Sequence, residues 1–202
     1  MIRLAPLLLV LLASPAAAHG TLPGGSGFAA GFVHPFVAVE HLLLLAGFGI
    51  VMGRQSRRRP LIGLLAGLWA GFGAGMWGIV AVLAMPLLPV ILMLALVTGG
   101  LLAANLRLSA PALMGLAALV GLVVGADTDG PGGPGGPGDA ATLIACAGTV
   151  TGVLAIVLNA MAGAQYGSGR LSGIPLRVAG SWIAAAALLI LAFLLRGTLA
   201  IT

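Results

Sequence analysis

A chain of 202 residues that is 60% hydrophobic and only 6% charged is not an ordinary soluble domain, because such domains carry about 25% charged residues. A mean hydropathy of +1.20 makes the lipid bilayer its solvent. A net charge of +5 does not make a nucleic-acid surface here: the nine basic residues are all arginines, set in short gaps between apolar runs rather than on one solvated face.

Met1 to Ala18 reads as a cleaved signal peptide. Arg3 gives the positive start, Leu4 to Ala13 the short apolar stretch, and Ala16-Ala17-Ala18 a small-residue cleavage site. The apolar stretch is shorter than the roughly 20 residues a bilayer core requires. Cleavage after Ala18 makes His19 the mature N-terminus, on the extracytoplasmic side, where its amine and its ring are both available to a metal ion.

The rest, 19–202, reads as a single all-α domain of six transmembrane helices, at about 28–52, 60–84, 87–106, 110–126, 140–164 and 175–195. Runs this apolar and without alternation favour helices over barrel strands.

The first run opens on His34-Pro35-Phe36-Val37-Ala38-Val39-Glu40-His41. An ionisable group inside a span costs about 2.5–3.5 kcal/mol in the worst cases and is usually tied to function. Three within eight positions therefore mark a site. Pro35 suits a first helical turn, with His34 at its start. On a continuous helix His34 and His41 share a face to within about 20° but stand about 10 Å apart along the axis. A break near Pro35 would shorten that gap. Glu40 points about 100° away from His41, placed to complete a site or to orient an imidazole. Interhelical hydrogen bonding, a proton relay and a metal site all fit such a cluster. Two imidazoles and a carboxylate suit borderline divalent ions better than Mg²⁺ or Ca²⁺, and so few ligands would release the ion again.

Arg54, Arg57, Arg58 and Arg59 follow the first run. The second carries Gly63, Gly67, Gly71 and Gly75 at four-residue spacing, a smooth groove for another backbone. The groove serves intrachain packing and a homo-oligomer seam equally well. Met85-Pro86-Leu87-Leu88-Pro89 suits a tight hairpin into the third run, which Arg107 follows. After the fourth, residues 127–139 are low-complexity Gly and Pro flanked by Asp127, Asp129 and Asp139, a flexible external loop. Those acids are either solvated or attract cations to the mouth. The fifth run holds Cys146, which has no disulfide partner in the chain. Near its end, Asn159, Gln165 and Tyr166 line an exit or bond across helices. Trp69, Trp77 and Trp182 are interfacial anchors or lipid-facing bulk.

Arginines after the first, third and fifth runs (Arg170 and Arg177 for the fifth) fall on one side when crossings alternate. Only Arg196 and the three aspartates fall on the other. The arginine-rich side is the cytoplasm, so both termini lie outside the inner membrane, in agreement with the signal peptide.

The stretch Gly31-Phe32-Val33-His34-Pro35-Phe36-Val37-Ala38-Val39-Glu40-His41-Leu42-Leu43, preceded by a signal and by His19, resembles the HupE/UreJ family of nickel and cobalt permeases. That family carries His-Pro-x-x-Gly-x-Asp-His at its first span; here Ala38 replaces the glycine and Glu40 the aspartate. A second family signature, Phe-His-Gly-x-Ala-His-Gly-x-Glu, falls on Val123 to Pro131 and keeps only Gly125. A later Leu-His-x-x-Gly falls on Leu158 to Ala162, with Asn159 for the histidine. The resemblance implies six spans and uptake of a divalent transition metal, Ni²⁺ or Co²⁺, held as cargo and not as a permanent cofactor. It carries His34, Glu40 and His41 over as metal ligands.

The expectation is thus a permease, with a non-transporting metal-binding or assembly accessory protein as the alternative. No Gly-x-x-x-x-Gly-Lys motif is present, so energy comes from a gradient or another protein. An intramembrane enzyme is disfavoured: Ser168 falls on the opposite side from every histidine, so no Ser–His pair can form.

Overall fold

The computed structural model describes residues 27–55, 58–77, 86–127, 139–170 and 173–199. The signal peptide (1–18), His19 and the interior of the Gly/Pro loop (128–138) lie outside the described residues. Everything described is helix or connection: α1 (Phe28–Val37), α2 (Val39–Arg54), α3 (Pro60–Met76), α4 (Leu87–Ala103), α5 (Ala110–Asp127), α6 (Ala140–Arg170) and α7 (Ile174–Leu199). Helix is what lipid demands of an apolar segment, since its backbone polar groups must be satisfied within the segment.

Helix falls in each of the six apolar runs. Three of the helices, α5, α6 and α7, are long and apolar enough to cross a bilayer, and the pair α1–α2 makes a fourth if its 79° bend is counted as one broken span. Helices α3 and α4 have 17 residues each, about 25 Å of rise against a core of about 30 Å. The first run is not one helix. Helix α1 begins two turns ahead of Pro35 and contains it, so Pro35 is not at a first turn. The break comes at Ala38, whose ψ of 101° is extended backbone. Pro35 has no N–H for the Gly31 carbonyl, which weakens the helix just where it is interrupted.

Helix α2 sits centrally, packed on α6, α4, α7 and α5, while α1 lies along the first half of α6, α3 against α5 and α4 against α7. Leu44, Leu45, Phe48 and Met52 of α2 are wholly buried. The glycine groove of α3 is filled within the chain. A Cβ on Gly67 would collide with the Ala118 carbonyl, and one on Gly71 with the Leu122 carbonyl. From the other side, Gly121 and Gly125 of α5 press on the backbone at Leu64 and Leu68. That backbone-to-backbone contact is the use small residues have in lipid. The groove is therefore not free to serve as a homo-oligomer seam. Trp69, Trp77 and Trp182 all face outward; Trp77 caps α3 at a helix end, where an interfacial anchor belongs.

The arginine end is built around the end of α4. Asn105 takes a left-handed φ of 58°, and Leu106 N–H donates to the Leu101 carbonyl at 2.9 Å while Asn105 N–H donates to Leu102 at 3.1 Å. This is the hydrogen-bond pair of a Schellman ending. Arg54, at the end of α2, donates to the Leu106 carbonyl, and Arg177 Nε, near the start of α7, donates to the Ala103 carbonyl at 3.1 Å. Two cations thus satisfy carbonyls at the negative end of one helix dipole. A cavity of about 270 Å³ lined by Ala103, Ile174, Arg177, Val178 and Ser181 lies at this end.

Candidate functional site

The opposite end holds His34, Glu40, His41 and Asp127. His34 is the seventh residue of α1 and His41 the third of α2, and the bend at Ala38 folds one toward the other. Their rings meet edge to face, centroids 5.2 Å apart with an interplanar angle of 64°. A straight helix would hold them about 10 Å apart. The shortening expected of a break near Pro35 is present, produced three residues later.

His41 is wholly buried. Its Nε2 lies 3.2 Å from Asp127 Oδ2, and Asp127 is 26% exposed. Neither ring nitrogen of His41 has a hydrogen-bond partner among the described residues, so the carboxylate is close without forming a hydrogen bond. The buried imidazole thus has the Asp127 carboxylate as an ion-pair contact, and no hydrogen bond to a described residue. His34 is half-buried.

Asp127 is the residue that the sequence placed in the external loop. It stands as the last residue of α5 and not in the following loop. The signal available was its place within the stretch that aligns with the second family signature.

Glu40 adjoins His41 in sequence but is partly exposed, in no ion pair with a described residue. It occupies the first turn of α2, where the positive end of the helix dipole favours a carboxylate by about 0.3–1 kcal/mol. His19 lies outside the described residues. Among the described residues, no three His, Cys, Asp or Glu side chains form a ready-made metal cage; the contacts are pairwise, and His41 is common to both.

Other polar groups are occupied locally. Asn159 Nδ2 donates to the Ala155 carbonyl one turn back at 2.7 Å and is exposed, and Tyr166 is 63% exposed, so both lie on the outer surface of α6. The buried Thr98 and Thr149 donate to carbonyls of their own helices at 3.0 and 3.3 Å, a common way to bury a hydroxyl in lipid.

The two-imidazole geometry has a metric consequence. An ion bonded at about 2.0–2.1 Å to two imidazole nitrogens, at an angle of about 90–110°, puts the ring centroids about 4.5–5.2 Å apart. The observed 5.2 Å meets the upper limit.

The protein-family model described as HupE / UreJ protein matches residues 7–190. No curated protein and no solved structure matches the chain.

Proposed function

The chain belongs to the HupE/UreJ family, a transporter family associated with nickel and cobalt, and from that premise we propose that it is an inner-membrane permease for a divalent transition-metal ion, Ni²⁺ or Co²⁺. The observation that carries this reading is the edge-to-face contact of His34 and His41 at 5.2 Å across the Ala38 bend. Two imidazoles select borderline ions by their softness, and a site with so few protein ligands leaves positions open for water, so the ion can exchange. A carboxylate at the same end of the bundle supplies charge. His19, on the same side by the signal-peptide reading, would pass ions toward the pair.

The arginine distribution supports the orientation. Arg54 and Arg177 are both tied to the end of α4, and the histidines lie at the other end of α2. With arginines inside, the histidines face the extracytoplasmic mouth, and the six helical segments are read as six crossings with both termini outside. The ion then travels inward past α2, driven by a gradient or by a partner protein.

Uptake of radiolabelled cobalt by cells carrying the chain or its His41→Ala variant tests the reading. We expect uptake above the empty-vector level, lost in the variant; equal uptake by the two removes the proposal. One observation favours a second reading, a metal-binding or assembly accessory protein that does not transport. Buried Val124 stands on α5 where the family signature has a histidine. Metal binding by the purified chain without uptake by cells would select it.

A further inference from the structure

We propose that Asp127, and not Glu40, supplies the carboxylate of this site, so that the ion bridges the first turn of α2 to the end of α5. The proposal rests on the reading of His34 and His41 as metal-holding groups and names the third.

Three observations carry it. The first is spacing. An ion with bonds of about 2.0–2.2 Å holds two neighbouring ligand atoms about 3.0–3.4 Å apart, and His41 Nε2 and Asp127 Oδ2 are 3.2 Å apart without a hydrogen bond between them. A divalent ion placed between that nitrogen and that oxygen needs little movement of either. The second is burial. His41 is wholly enclosed and its ring nitrogens have no hydrogen-bond partner among the described residues, while Asp127 retains 26% exposure. The ion thus meets the carboxylate first and the buried ring behind it. The third is the contrast with Glu40. Its position in the first turn of α2 is one the helix dipole favours, and it makes no ion pair with a described residue. Asp127 ends α5, where its own helix dipole opposes a negative charge, and it meets α2 through its ion pair with His41.

A site shared between two helices has a readout other than transport: the ion joins α2 to α5, and so stabilises the bundle by an amount that grows with the logarithm of its affinity. The test uses the full chain purified in detergent. Co²⁺ is titrated by visible absorption, and the thermal midpoint is followed with and without Co²⁺, for the unaltered chain, His41→Ala, Asp127→Asn, Asp127→Glu and Glu40→Gln. We expect Asp127→Asn to weaken Co²⁺ binding at least tenfold and to abolish the Co²⁺-dependent rise in midpoint. Asp127→Glu should recover part of both, and Glu40→Gln should bind within twofold of the unaltered chain. Asp127→Asn binding within twofold, or Glu40→Gln losing tenfold, overturns the assignment while leaving the imidazole reading in place. His41→Ala binding as well as the unaltered chain overturns that reading itself. If Asp127→Asn does not fold, the cobalt-edge X-ray absorption of Glu40→Gln decides. A spectrum unchanged from the unaltered chain supports Asp127, and loss of an oxygen ligand overturns it.

Discussion

The His34 and His41 rings touch although seven residues separate them, because the helix between them is interrupted at Ala38 and turns through 79°. The interruption follows a proline by three residues, so the sequence pattern that resembles a metal motif also carries the device that brings its two imidazoles together. Restoring the helix should undo this. Pro35→Ala returns the missing N–H to the Gly31 carbonyl and, if α1 and α2 straighten, moves the rings toward the roughly 10 Å of a continuous helix. The expected result is at least a tenfold loss of Co²⁺ affinity with the protein still folded and helical. Circular dichroism and Co²⁺ titration of the purified variant measure the two separately.

The glycines of α3 predict opposite outcomes two residues apart. A Cβ at Gly71 would meet the Leu122 carbonyl and stand 2.7 Å from the Ala126 nitrogen, whereas one at Gly73 meets nothing within 4 Å. Gly71→Ala should destabilise the bundle by about 1–3 kcal/mol, the usual range for overpacking. Gly73→Ala should be neutral, or stabilising by up to about 1 kcal/mol through helix propensity. Thermal unfolding in one detergent compares them directly.

Arg54 and Arg177 donate to carbonyls three residues apart in the chain, at Leu106 and Ala103. Hydrogen bonds from charged donors contribute about 1.5–3 kcal/mol when buried, and these are exposed, so each single change to Met should cost about 1 kcal/mol. Because both hold one helix end, the losses should not add. A double-mutant cycle on unfolding free energy measures that coupling.

Cys146 is wholly buried in α6. It should resist a membrane-permeant maleimide while the bundle is intact and react when the chain is unfolded in sodium dodecyl sulfate. Protection from labelling thus reports folding of each variant above.

Much of the helical architecture was legible because lipid leaves so few options. Uninterrupted apolar runs, arginine gaps and the four-residue glycine spacing in α3 each follow from one local rule, and the helices fall where those rules put them. The partner of the glycine groove was not legible, since Gly67 and Gly71 look alike whether α5 or a second copy fills the groove. The break in the first run was legible as a consequence of Pro35 but displaced to Ala38, because a proline removes a bond one turn back without fixing where the chain turns. At the site, His34 and His41 stood out by their spacing. Asp127 did not, because nothing local tells whether an acid at a helix end dissolves in the loop or reaches a ring on another helix 86 positions earlier (127 − 41).

The most direct test of the central claim is metal flux through the purified chain alone. Proteoliposomes loaded with a metal-quenched dye are mixed with Co²⁺, using the unaltered chain, a His34→Ala/His41→Ala double variant, and empty vesicles. Quenching by the unaltered chain, with the double variant no faster than empty vesicles, is the predicted result. Equal quenching by the unaltered chain and the double variant would contradict it.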